Sequence, residues 1–243
     1  MSVYKELLVK VYLLKDINKK DINEAISSFV NYAMNKDVKL ATLHKGKGYK
    51  GYSLSSLSPT EKDGIYKKDE IYEFTIRSFN FQLIDRFKKS FEKFKSETFI
   101  VFSIRSHLID IKYIKEAHCL TPAIITLENE NKLKCLNLLK DDVEKAKNQI
   151  FVNLLKKYNF FNKLQLKLEY SDIFEDIVPL HNIAIICNYK GIKLLGYKYL
   201  LKFKNNEIAQ QIAEIALVNG IGEKNTISFG FINTAKGVTK LVR

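Results

Sequence analysis

Apolar residues in this chain switch between a period of two and a period near 3.6, in an order that runs through twice, and few architectures accept that order. Residues 6–14 hold Leu7, Leu8, Val9, Val11 and Leu13 close together, as a buried strand does. Ile22, Ala25, Ile26, Phe29, Val30, Ala33 and Met34 then fall on one helical face, and Asp21 with Glu24 three residues on predicts a capping box at its start. A short strand is expected at 38–43. A half-exposed one follows where Tyr72, Phe74 and Ile76 alternate with Glu73, Thr75 and Arg77. A second amphipathic helix runs through Leu83, Ile84, Phe87, Phe91 and Phe94, and residues 98–104 read as another strand.

After Thr121 and Pro122 the order returns. Strands are expected at 123–127 and 133–138, then a helix through Val143, Ala146, Ile150, Phe151, Leu154, Leu155 and Tyr158. Leu164, Leu166, Leu168 and Tyr170 alternate as a strand, 183–187 and 192–203 can pair as a hairpin, and Ile208, Ile212, Ile215 and Ala216 mark a last helix. β-α-β-β-α-β in each half predicts an α+β chain of two tandem ferredoxin-like domains, 1–119 and 120–243. No low-complexity linker separates them, so the halves are expected to pack together.

Charge bears on partners rather than on fold. Forty basic residues against 27 acidic ones give a net charge of +13, which favours nucleic acid, an anionic membrane surface or another polyanion. A hydrophobic content of 46% excludes a disordered chain. Cys119, Cys135 and Cys187 form no CxxC pair, which argues against a disulfide framework or zinc ribbon and for a reducing, cytoplasmic setting. Lys5, Glu6 and Lys10 interrupt the first 15 residues, so no signal peptide is expected, and no apolar run reaches the ~18 residues of a membrane span.

Two glycine-rich stretches could carry chemistry. In the first, 44–52, Gly46, Gly48 and Gly51 match G-x-G-x-x-G formally. That fingerprint must open a helix, whereas this one runs on into Ser-rich extended chain and Pro59, which excludes a dinucleotide site. Of the four histidines only His44 sits among several cations, Lys45, Lys47 and Lys50; His107, His118 and His181 have ordinary surroundings. On residue types alone this cluster reads either as a solvated surface or as a basic, mobile loop with an imidazole at its root. The second reading suits metal-free cleavage of RNA, in which one group takes the 2′-OH proton, another protonates the leaving 5′-oxygen, and lysines stabilise the crowded phosphate. Acidic residues are scattered, with Asp172, Glu175 and Asp176 grouped as a solvated loop, so neither a metal nor another cofactor is expected. In the second stretch, 220–232, two glycines flank Ile221 where the last helix stops, and Lys224 and Asn225 follow. It reads as a glycine C-cap and loop, or as a joint that admits a phosphate backbone.

With both stretches placed, the chain resembles the CRISPR-associated endoribonucleases that cut repeat RNA into guides, the sixth Cas protein family of the RAMP superfamily. Their C-terminal loop has the form G-φ-G, five residues, G-φ-G. Here Gly220-Ile221-Gly222, five residues, and Ser228-Phe229-Gly230 reproduce it with one departure, Ser228 for Gly, which predicts a differently shaped second turn. His44 followed by residues 48–53 and by Leu57-Ser58-Pro59 is similar to the stretch around the family's catalytic histidine.

The resemblance implies metal-independent cleavage of precursor repeat RNA, leaving a 2′,3′-cyclic phosphate and a 5′-hydroxyl, in antiviral defence. It implies His44 as general acid or base, Lys50 as transition-state stabiliser and Tyr32 as the second proton-transfer group. It also implies RNA contacts from Lys45, Lys47, Gly220, Gly222, Lys224, Asn225, Ser228 and Gly230. The alternative is a non-catalytic repeat-binding subunit of a ribonucleoprotein. The implied partner is CRISPR repeat RNA and not a membrane; assembly into a multi-subunit interference complex, or as a homodimer, is left open.

Overall fold

The computed structural model describes residues 2–129, 132–234 and 238–241. In the first half the strand Ser2–Leu13 runs antiparallel between Ile71–Ser78 and Phe99–Ile111, and Ser53–Leu54 borders Ile71–Ser78. Leu7, Val9, Val11 and Leu13 all point into the core, which is why this strand takes the middle of the sheet. Helix α1 (Ile22–Met34) covers the sheet with the face expected of it. A shorter helix α2 (Val38–Lys45) follows, and α3 (Phe81–Phe91) packs beside α1. Phe29 joins the layers, its ring centroid 4.9–6.3 Å from those of Phe74, Phe91, Phe94 and Phe99.

The second half repeats the plan. Its sheet runs Phe174–Pro179, Tyr199–Phe203, Glu116–Cys119, Ile232–Asn233. Helices α4 (Val143–Asn162) and α6 (Glu207–Asn219) pack together in its core, with a single turn α5 (Tyr170–Ile173) between them in sequence. Both halves show the strand order of a ferredoxin-like domain, with the central strands first and third in each. Glu116–Cys119 lies in the second sheet, a few residues ahead of the expected division at 119/120. The hairpin is also present: Ile185–Tyr189 pairs with Ile192–Tyr197 across Lys190 and Gly191, both at positive φ (49° and 74°) as a type I′ turn requires. Among the described residues no helix is long and apolar enough to cross a membrane.

Three local expectations are corrected. Residues 38–43 form helix α2 rather than a strand. Asp37 is extended, its carboxylate accepts the Leu40 N–H at 3.0 Å, and Val38 is 83% exposed, so no sheet neighbour rewards its β-branched side chain. Residues 164–169 are not a strand either. Lys163 turns left-handed at the end of α4, Leu164 N–H returns to Asn159 O, and the Asn159 amide takes both the N–H and the C=O of Leu166. With those backbone groups claimed by the helix end, pairing begins only at Phe174. Finally, Asp21 and Glu24 make no capping box. Their carboxylates accept from the Asn188 amide (2.7 Å) and the Lys190 N–H (2.8 Å), and so hold the hairpin of the second half.

The halves are joined by buried polar contacts. Ser53 Oγ donates to Val218 O at 2.7 Å. Arg77 pairs with Glu6 at 2.8 Å, donates to Ile232 O at 2.8 Å and lies 4.3 Å from the centre of the Phe231 ring. The strand Val238–Leu241 closes the arrangement by returning to the first sheet beside Phe99–Ile111.

Candidate functional site

α6 ends at Gly220, and the chain then folds tightly on itself. A Cβ at Gly222 would lie 2.5 Å from Ile124 O, and one at Gly230 only 1.9 Å from Ile221 O. Both residues have left-handed backbone (φ 61° and 62°). The bulk these glycines admit is therefore the protein's own backbone. Ser228 departs from expectation: it adopts φ 70° as a glycine would, fully buried, and its Oγ donates to Ser55 O at 2.9 Å. That bond to the first half offsets the strain of a side chain in the left-handed region. Gly230→Ala is expected to lower stability by roughly 2–4 kcal/mol, from left-handed strain plus overpacking. Urea unfolding reads this directly, and a loss under about 1 kcal/mol would show that the loop yields.

Inside the loop sits a residue the periodicity reading passed over. Lys157 of α4 is 2% exposed and its ammonium donates to Gly220 O (2.7 Å), Gly222 O (3.0 Å) and Asn225 Oδ1 (2.7 Å). Asn225 in turn donates to Ile221 O (2.8 Å) and Phe229 O (2.9 Å), joining the loop's two glycine turns. A signal was present: Lys157 lies seven residues after Ile150 and three after Leu154, on the apolar stripe of the helix. A lysine there needs buried acceptors.

The first stretch is more firmly held than a mobile loop. His44 lies in the last turn of α2 and is exposed. Lys50 donates to Leu43 O (2.7 Å), His44 O (3.3 Å) and Gly46 O, and so caps the helix end that carries the imidazole. Tyr49 packs edge-on to Phe160 at 5.3 Å, at the end of α4. Lys45 and Lys47 are exposed.

Between the two stretches lies a cavity of about 540 Å³, lined by Tyr49, Lys50 and Gly51 from the first half, by Lys156, Lys157 and Phe161 from α4, and by residues 222–226. Of the expected site residues, Lys50, Gly222, Lys224 and Asn225 meet here; His44 does not line the cavity and is tied to it only through its backbone carbonyl, which accepts from Lys50. Gly220, Ser228 and Gly230 are buried and serve the loop's interior. Tyr32 is not brought to this place. It is 65% exposed and lines a separate hollow with Asp16, Phe94 and Lys95. Among the described residues no three His, Cys, Asp or Glu side chains group as metal ligands do.

The family model described as "CRISPR associated protein Cas6, C-terminal" matches residues 109–234, more than half of the chain. No curated protein matches in sequence. Solved structures match in fold. A CRISPR-associated protein Cas6 superposes with a TM-score of 0.71 at 18% identity, over 96% of this chain and 100% of that one. A RAMP protein described as binding different RNA substrates gives 0.72 at 20% identity, over 96% and 100%. A Cas6-related protein from Pyrococcus furiosus gives 0.70 at 19% identity, over 96% and 99%.

Proposed function

Since the chain belongs to the Cas6 family of CRISPR-associated proteins, we propose that it processes CRISPR repeat RNA by metal-independent cleavage. The observation that carries this reading is the cavity where Lys50, which holds the end of the helix bearing His44, faces the glycine-rich loop of the other half. Lys50, Lys156 and Lys224 line it, and Lys45 and Lys47 are exposed on the same stretch as Lys50; together they supply the charge a ribose–phosphate chain requires. His44 exchanges a proton at the 2′-OH or the 5′-oxygen, since imidazole is the side chain that does so near neutrality. Attack by the 2′-oxygen forms the 2′,3′-cyclic phosphate as the bond to the 5′-oxygen breaks, and that oxygen leaves protonated as a hydroxyl.

Lys50 acts first by fixing the end of α2. A phosphate entering beside it competes for the same ammonium and draws it toward the transition-state charge. The other proton is exchanged with water, since both transfers take place at one ribose–phosphate link and Tyr32 lines a different hollow. The test is incubation with repeat RNA in EDTA. One cut with a cyclic phosphate end is expected, and none when the nucleotide 5′ to the cut is 2′-deoxy. Tight binding of the unmodified repeat without any cut, with or without divalent metal, would assign the chain to the non-catalytic binding subunits instead.

A further inference from the structure

α4 turns Ala146, Ile150, Phe151, Leu154 and Tyr158 toward the core, and Lys157 falls among them. Its three N–H groups meet three oxygens, all of them on the 220–230 loop. Through Asn225 the same network reaches Ile221 O and Phe229 O, so one ammonium and one amide define the curvature of the whole loop. We infer that Lys157 is a positioning residue that keeps the loop in its RNA-binding shape only while it carries a full ammonium charge, so that RNA binding takes up a proton. This rests on the cavity being the RNA site.

A neutral amine has two N–H groups and a lone pair, so deprotonation leaves one of the three buried oxygens unpaired and its lone pair facing another. Burial pushes the Lys157 pKa down to about 7, with Glu223 opposing that shift. The proton is therefore poorly held near physiological pH, although the loop geometry calls for it. The other groups around the cavity are Lys156 on the same helix, Glu223 and Lys224 on the loop, Tyr49 and Lys50 from the first half, and Glu128. Three further ammonium groups against two carboxylates work against a fourth positive charge. A phosphate in the cavity reverses that balance and favours the charged Lys157.

The test is calorimetry on the full chain at pH 8 with repeat RNA made uncleavable by a 2′-deoxy nucleotide, in two buffers of different ionisation enthalpy. The expected result is uptake approaching one proton per RNA bound, with affinity weakening by up to about tenfold per pH unit between pH 7 and 9. The uptake should persist in His44→Ala, whereas Lys157→Met, whose fold is checked by circular dichroism, should bind the RNA more weakly and with no uptake. Binding with no proton uptake in the wild type and in His44→Ala overturns the role of Lys157 and leaves the RNA site intact. Uptake that survives in a folded Lys157→Met overturns it as well. Should the methionine variant fail to fold, the wild-type and His44→Ala measurements decide alone. No binding of repeat RNA by the wild type overturns the functional reading, and this one with it.

Discussion

His44→Ala should bind repeat RNA with nearly unchanged affinity and cut it roughly 10²–10⁴-fold more slowly, the usual contribution of a positioned acid or base. The separation of binding from chemistry follows from where the residue sits. The imidazole is exposed on the last turn of α2 and makes no hydrogen bond to the protein among the described residues, so its loss disturbs no packing. On the proposed reading RNA affinity comes instead from the surrounding lysines, which the substitution leaves in place. Single-turnover cleavage with saturating protein, alongside a filter-binding titration, separates the two effects. A variant that cuts at the parent rate removes His44 from the reaction. One that fails to bind shows that the ring contacts RNA in the ground state.

Arg77→Met should lower stability by about 3–5 kcal/mol, the cost of leaving one partner of a buried ion pair alone. Glu6 is left buried, and Ile232 O loses the donor that ties the second sheet to the first. Because the guanidinium reaches from a first-half strand to a second-half carbonyl, the loss should fall on the contact between halves, where the cavity lies. Adding Glu6→Leu should recover part of the loss, since the double variant no longer buries an unpaired carboxylate. Urea unfolding of the parent, both single variants and the double variant measures the coupling. A loss below about 1 kcal/mol for Arg77→Met would mean that the pair is reached by water and contributes little to the contact between the halves.

Legibility varied with the range of the interaction responsible. α1, α3, α4 and α6 were readable because each buries one continuous apolar stripe, a property of spacing alone. Residues 38–43 and 164–169 misled because Val38, Leu164 and Leu166 stay exposed, while Asp37 before one and Asn159 before the other claim the local backbone. Asp21 and Glu24 have the spacing of a cap but serve a hairpin more than 160 residues away. The glycines of 220–230 were found for their conformational freedom, yet the object they approach could not be named without the fold.

Alternation and helical spacing, read from the chain alone, determined two ferredoxin-like halves and their order, and glycine placement marked the two stretches worth watching. Those features depend on neighbours within a few residues, where covalent geometry fixes which side chains share a face. Only the tertiary structure decided that Lys157 rather than an exposed cation shapes the glycine loop, that Lys50 holds the helix carrying His44, and that Tyr32 opens on a different hollow. Each depends on which distant oxygen lies within 3 Å or so of a flexible side chain, and no local period encodes that distance.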